Sequence, residues 1–166
     1  MNINDLKSKM TAGFARPNRY AVFFHKDTST LSWMVDNVSL PGRQLSSSDR
    51  YTDMRVSKIA YAFINEDITM TFLLSNNFES WNFLKEWQDD VITNMGELGG
   101  YKVRFKSDYS KDFIIKALDM NDKTTKEIKV LGAYPTSLQS IELSNSSENE
   151  VIRCTATFSY ETWQET

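Results

Sequence analysis

The chain has 166 residues, 40% of them hydrophobic and 25% charged, with a formal net charge of −3. That length suits one domain over 1–166 able to bury its own core, and the mild acidity excludes a strongly basic nucleic-acid binder. A single cysteine, Cys154, excludes a disulfide framework and a cysteine metal cluster, and no apolar run approaches the ~20 residues of a membrane helix.

Aromatic residues make up 13% of the chain, which favours a core or interface rich in large rings. The opening "MNINDLKSKM" has no apolar signal core, so the expectation is a soluble protein that folds in a reducing cytoplasm. Ile3, Leu6, Met10 and Phe14 recur at three- and four-residue spacing and predict a short amphipathic helix over 2–12, stopped at Gly13. After Pro17, Tyr20 to Phe24 reads as a buried strand. "DTST" makes a turn, and "LSWMVDNVSL" (31–40) is a second strand ended by Pro41-Gly42.

Residues 43–50, "RQLSSSDR", are polar and loop-like. The following "YTDMRVSKIAYAFI" is strand-like, but its apolar parity slips: Met54 and Val56 fall on one face, Ile59, Tyr61 and Phe63 on the other. Either a β-bulge or a long hairpin whose faces meet different partners would produce this. Ile68, Met70, Phe72 and Leu74 then alternate with polar residues, as in a half-buried antiparallel strand. The longest helix is expected over 77–95, capped by Asn76 with Glu79 as capping-box partner. Its apolar stripe is Phe78, Trp81, Leu84, Trp87, Val91 and Met95, and Gly96, Gly99 and Gly100 break it.

The last third returns to strands: "KDFIIKAL", a "DMNDKTT" turn, "KEIKVL", "SLQSIELS", a polar "NSSENE" and a final "VIRCTATFSYETW". In that final run Ile152, Cys154, Ala156, Phe158 and Tyr160 share a face. In "GAYPTSLQSIELS" (132–144), Gly132 and Pro135 are expected to turn the chain out of one strand, with Tyr134 anchoring the turn in the core. Leu138, Ile141 and Leu143 would continue the apolar layer, with a bulge or short turn between Leu138 and Ile141. The expected fold is mainly β (α+β): an antiparallel sandwich or small barrel of seven or eight strands, with one packed helix and a short N-terminal helix.

Catalytic chemistry finds little support. The one histidine, His25, stands beside Lys26 at a strand end, and Cys154 lies on an apolar face, where a thiol behaves as a small hydrophobe. A Cys–His pair lacks a third orienting residue. "DMNDKTTKEIKV" begins like a calcium loop but carries Lys123, Thr124 and Val130 where that loop needs an oxygen ligand, Gly and Glu. "GELGG" lacks the Lys-Ser/Thr of a phosphate loop, and Glu86, Asp89 and Asp90 suit the solvated face of a helix. Lys102, Arg104 and Lys106 alternate along an expected strand and suit a charge-paired subunit contact. No cofactor or metal is expected, and a structural role leads over a β-sandwich ligand-binding module or a cysteine-dependent enzyme.

Four landmarks in order sharpen that role: "FARPNRYAV" (14–22), "VDNVSLPG" (35–42), "KEIKVLGAYPTSLQSIELS" (126–144) and the terminal "YETW" (160–163). Their order and spacing, and the chain length, resemble the tail tube proteins of T4-like contractile phages. The resemblance covers nearly the whole chain and is weakest over 43–100. It implies a subunit of the inner tube of a contractile tail, a non-enzymatic virion protein made in the host cytoplasm. Hexameric rings would stack into a hollow tube passing double-stranded DNA, with tail sheath, baseplate and tail terminator proteins as partners and no membrane. A baseplate-proximal tube initiator or a secretion-type tube subunit is the alternative. The resemblance places 43–63 in a long hairpin lining the lumen and reaching the next ring. Its interface candidates are Arg43, Arg50, Tyr51, Met54, Arg55, Lys58 and Tyr61 there, with Arg16, Pro17 and Tyr20 at ring-to-ring contacts. The helix would lie outside the sheet with its acidic face available to sheath.

Overall fold

The computed structural model describes residues 3, 15–24, 32, 34–52, 54–94, 99–144 and 150–166. The expected helix over 2–12 lies outside the described residues except for Ile3, as do Gly13, Phe14, His25, Lys26, the "DTST" turn, Met95, Gly96 and most of "NSSENE".

Eleven strands and two helices are described: β1 (Tyr20–Phe24), β2 (Val35–Val38), β3 (Arg43–Thr52), β4 (Arg55–Asn65), β5 (Ile68–Leu73), α1 (Glu79–Val91), β6 (Ile92–Asn94), β7 (Tyr101–Val103), α2 (Lys106–Tyr109), β8 (Lys111–Leu118), β9 (Thr124–Leu138), β10 (Arg153–Ser159) and β11 (Thr162–Glu165). Seven of them form one antiparallel path, β1-β8-β9-β10-β5-β2, with β11 alongside β9. The path is open at β1 and β2, so the sandwich forms and the small barrel does not. β3 with β4, and β6 with β7, are separate two-stranded sheets.

The two layers share β9. Its first part pairs β8 from Thr124 to Ala133 and β11 from Ile128 to Leu131; its last part pairs β10 from Tyr134 to Leu138. The change of partner falls at Gly132, which has φ 65°. Phe113 pairs Val130 while Lys111 pairs Ala133, so β9 carries one residue more than β8 at this point. Such a bulge bends a strand and lets it pass from one layer to the other. The Asp112 carboxylate holds the corner by accepting the Gly132 N–H at 3.0 Å. "GAYPTS" therefore does not leave the strand, as the sequence suggested, but is the bend within it. Tyr134 anchors outward, edge-on to Tyr109 at 5.3 Å, rather than in the core. A second bulge skips Thr136 between the Phe158–Pro135 and Thr157–Ser137 pairs. The strand then ends at Leu138; residues 139–144 are irregular, and Leu143 is exposed.

The core fills the space between the layers. Val22, Phe113, Ile115, Ile128 and Val130 meet Ile68, Met70, Phe72, Cys154, Ala156 and Phe158. The alternation foreseen for β5 and β10 is what buries them. The final run is interrupted at Tyr160-Glu161, because β10 and β11 pair with different stretches of β9. Aromatic contacts thread the interior: Phe24 to Phe113 at 5.6 Å, Phe113 to Phe158 at 5.9 Å, Phe158 to Trp87 at 5.8 Å and Trp87 to Phe83 at 5.9 Å.

Helix α1 joins this chain of rings through the buried Leu84 and Trp87, and the Trp87 indole N–H donates to the Tyr109 carbonyl at 2.7 Å. The helix is shorter than expected, since Ile92–Asn94 turn extended to pair with Tyr101–Val103. Asn76 does not cap it. Phe78 occupies the cap position at φ 54°, and no side chain bonds the free amides there. The tight turn out of β5, with the Phe78 N–H on the Ser75 carbonyl, moves the helix start two residues past the polar pair.

Gly132→Ala should lower stability by about 1–2 kcal/mol, because the new Cβ must hold a left-handed φ and would sit 3.1 Å from Glu161 Cγ. Chemical denaturation of the two proteins measures this.

Candidate assembly surfaces

Residues 43–65 are the conspicuous feature of the surface. Ten register pairs from Arg43–Asn65 to Thr52–Arg55 zip β3 to β4. At the tip Met54 holds φ 60°, in the left-handed region. The polar "RQLSSSDR" is thus strand rather than loop: its serines accept pleated backbone because the partner strand, not their propensity, supplies the hydrogen bonds.

The parity slip is a bulge within a long hairpin. Ser46 pairs Ala62 and Ser47 pairs Ala60, so Tyr61 is the extra residue of a bulge inside a long hairpin. The bulge changes the predicted faces. Phe63 shares a face with Leu45, Ala60, Lys58 and Val56, while Ile59 lies with Ala62 and Ile64 on the other. Nearly every residue of the ribbon is exposed, including Leu45, Tyr51, Val56, Ile59, Phe63 and Ile64, and Tyr61 is 71% exposed. A two-stranded ribbon is marginal in water on its own, and one with apolar side chains on both faces is a candidate surface for another chain.

The root of the ribbon is tied to the C-terminal corner. The Arg43 guanidinium lies 4.7 Å from the Phe63 ring centroid and 5.1 Å from that of Trp163 on β11. Asn65 Nδ2 donates to the Glu161 carbonyl at 3.1 Å, and the Tyr160 hydroxyl donates to the Glu66 carbonyl at 2.9 Å. Each cation–π stack contributes about 0.5–1 kcal/mol at an exposed site, enough to bias the ribbon's direction but not to hold the fold. No local pattern signals this cluster, whose members are 94 or more positions apart across the hairpin and the C-terminus.

The remaining candidates, Arg16, Pro17 and Tyr20, lie at the start of β1. Arg16 and Pro17 are exposed. The Tyr20 hydroxyl bridges to the Asp36 and Val35 carbonyls of β2, at 2.6 and 3.2 Å, joining the two open edges of the sandwich. A cleft of about 370 Å³ there is lined by Ala15, Arg16, Pro17, Tyr20, Leu40 and Ile115 among others. Burial, and then the Asp36 charge, push the Tyr20 hydroxyl above its ordinary pKa.

The basic triad does not share a strand. Lys102 is on β7, Arg104 lies beyond it with Asp90 3.4 Å away, and Lys106 opens α2 and pairs with Glu161 at 2.9 Å. Glu86, Asp89 and Asp90 are on the solvated side of α1. The "DMNDKTT" turn is a hairpin connection in which the Asp119 carboxylate accepts the Asn121 and Lys123 amides. Cys154 is 1% exposed, and burial raises its thiol pKa; His25 lies outside the described residues.

A family model described as "Phage tail tube protein" matches residues 5–166. The chain belongs to this family. Over 166 residues this tail tube protein is 24% identical to tail tube protein gp19 of Enterobacteria phage T4, covering 99% of its own length and 100% of the relative. Its fold matches a subunit of an extracellular contractile injection system, solved as the PVC sheath-tube complex in the extended state, with TM-score 0.67, 16% identity and 96% of each chain covered. It likewise matches the tube terminating cap of the anti-feeding prophage, with TM-score 0.68, 15% identity and coverage of 92% and 91%. As a tail tube protein it is a structural subunit, and the exposed ribbon and open edges are its candidate assembly surfaces.

In the native tail tube protein the Cys154 thiol should resist alkylation at neutral pH and react stoichiometrically in denaturant, as mass spectrometry would show. Burial, with help from Asp67 and Glu66 against Arg43, also holds Tyr160 above its ordinary pKa. The neutral phenol is therefore favoured by folding, and its contribution is complete below the unfolded value of about 10 and fades as pH rises through the raised folded value. Tyr160→Phe should cost about 1 kcal/mol at pH 7 and make the loss of stability above about pH 10 shallower. Thermal melts across that range measure both effects.

Proposed function

We propose that the chain is the repeating subunit of the inner tube of a contractile phage tail, with no catalytic activity of its own. Six copies close into a ring, rings stack, and double-stranded DNA passes down the hollow centre during ejection. The observation that carries this is the Arg43–Asn65 ribbon, which exposes apolar side chains on both faces and, among the described residues, finds its register partners within itself.

A ribbon of this kind on a subunit that also carries a separate receptive surface makes a heterologous contact, which closes into rings when the rotation allows. The open edges at β1 and β2 invite strand addition between neighbours, which removes the aggregation hazard of an unpaired edge. The ribbon then reaches the adjacent ring and one of its faces lines the lumen, with Arg43, Arg50, Tyr51, Met54, Arg55, Lys58 and Tyr61 in or beside the contact. Arg16, Pro17 and Tyr20 take part in contacts between rings. The net charge of −3 suits a conduit, because many basic contacts would hold the phosphate backbone rather than let it slide. Tail sheath, baseplate and tail terminator proteins are the other partners, in keeping with the sheath-tube and tube-cap assemblies of the structural neighbours. The protein is made in the host cytoplasm and ends in the virion tail.

Electron microscopy of the purified protein should show rings or tubes with an open centre; a compact monomer at every concentration would overturn the proposal. Leu45→Asp and Ile59→Asp, on opposite faces of the ribbon, should each suppress assembly while changing the unfolding free energy of the subunit by less than about 0.5 kcal/mol, because both side chains are exposed in it.

A further inference from the structure

We infer that Arg43 is a positioning residue for assembly: stacked between Phe63 and Trp163, it sets the direction in which the ribbon leaves the sandwich. This rests on the tube reading for its consequence, but the geometry stands by itself. Every described register partner of the ribbon is within the ribbon, so its direction is decided at the root. Both strands are held there by one short stretch of chain. On the β3 side Arg43 reaches Trp163 of β11, and on the β4 side Asn65 reaches the Glu161 carbonyl. The next residue, Glu66, takes the Tyr160 hydroxyl on its carbonyl and gives its own N–H to the Gly42 carbonyl at 3.1 Å.

The stretch Tyr160–Trp163 is itself fixed to the body. The Glu161 N–H donates to the Leu131 carbonyl beside the Gly132 bend, the Glu161 carboxylate pairs with Lys106, and β11 is paired to β9. A rigid corner thus carries the ribbon root. Of the tethers, Arg43 alone spans three separate pieces: its own strand β3, Phe63 on β4 and Trp163 on β11. One guanidinium lies over both rings, so both strands of the ribbon are referred to the same indole. A lysine ammonium at the end of a flexible stem cannot stack in this way. A ribbon held in its docking direction loses less orientational freedom when it binds, so weakening the stack weakens assembly over and above any contact Arg43 makes with the neighbour.

The test reads direction first and assembly second. Spin labels at Asp49→Cys on the ribbon and Glu86→Cys on α1, in a Cys154→Ala background, report the distance between ribbon and body by pulsed electron resonance on dissociated subunits. Arg43→Ala and, separately, Trp163→Leu should broaden that distribution about twofold, with the pair together no broader than either alone, and Arg43→Lys should not restore the parent width. In unlabelled protein, Arg43→Ala should raise the concentration needed for half-assembly about fivefold, with the melting transition of the subunit lowered by no more than a few degrees. Unchanged widths in both variants would overturn the inference, even if assembly suffers, since Arg43 would then act by touching the neighbour. If the parent protein forms no rings or tubes, the proposed function fails while the distance measurement still decides the role of Arg43.

Discussion

Strand β9 has to serve two sheets, and the rest of the molecule is arranged around how it does so. Its amino-terminal part hydrogen-bonds β8 and β11, its carboxy-terminal part β10, and the change is made at a single glycine in the left-handed region with an extra residue opposite β8. Without that bend, the apolar faces of Phe113, Ile115 and Val130 and of Phe72, Ala156 and Phe158 would not be turned toward one another. The ion pairs cannot substitute for this. The seven among the described residues lie between side chains 29% or more exposed, where each pair contributes about 0–1 kcal/mol. Stability therefore rests on the buried rings and aliphatics, and the bend decides that they meet.

The same bend also places the candidate assembly surface. Glu161 packs against Gly132, and the short Tyr160–Trp163 stretch that follows β10 carries the root of the ribbon. The sandwich is thus a rigid mount whose corner aims a two-stranded arm. This division matches the work of a tube subunit: the body keeps its own fold, while the arm and the open edges leave backbone and apolar groups for neighbours to complete.

Much of the body was legible because its signals are local. A strand with one face buried must alternate, and Ile68–Phe72 and Cys154–Tyr160 do so; the helix shows its stripe at Leu84 and Trp87 for the same reason. The failures came where partners, rather than local sequence, choose the conformation. "RQLSSSDR" is polar apart from Leu45 and is strand only because β4 lies beside it. "SLQSIELS" has strand-like residues past Leu138 but finds no ladder to join. The Asn76 cap lost to the geometry of the β5-to-α1 turn, and Lys102, Arg104 and Lys106 were separated when the chain turned into α2.

The assembly surface divides in the same way. The parity slip near Tyr61 was readable as an anomaly, because side-chain period is written in the sequence. Which faces it produced was not readable, since the bulge position depends on register with a strand that looked like loop. By itself the sequence determined the sheet-forming segments, the buried faces of β5 and β10, the helix stripe and, through its ordered landmarks, the family. Only the tertiary structure decided that β9 bends instead of ending, that the Arg43 guanidinium lies over the rings of residues 63 and 163, and that β3 and β4 pair with each other rather than with the sandwich. Those features are contacts between distant segments, and their energies exist only once the chain has brought the segments together.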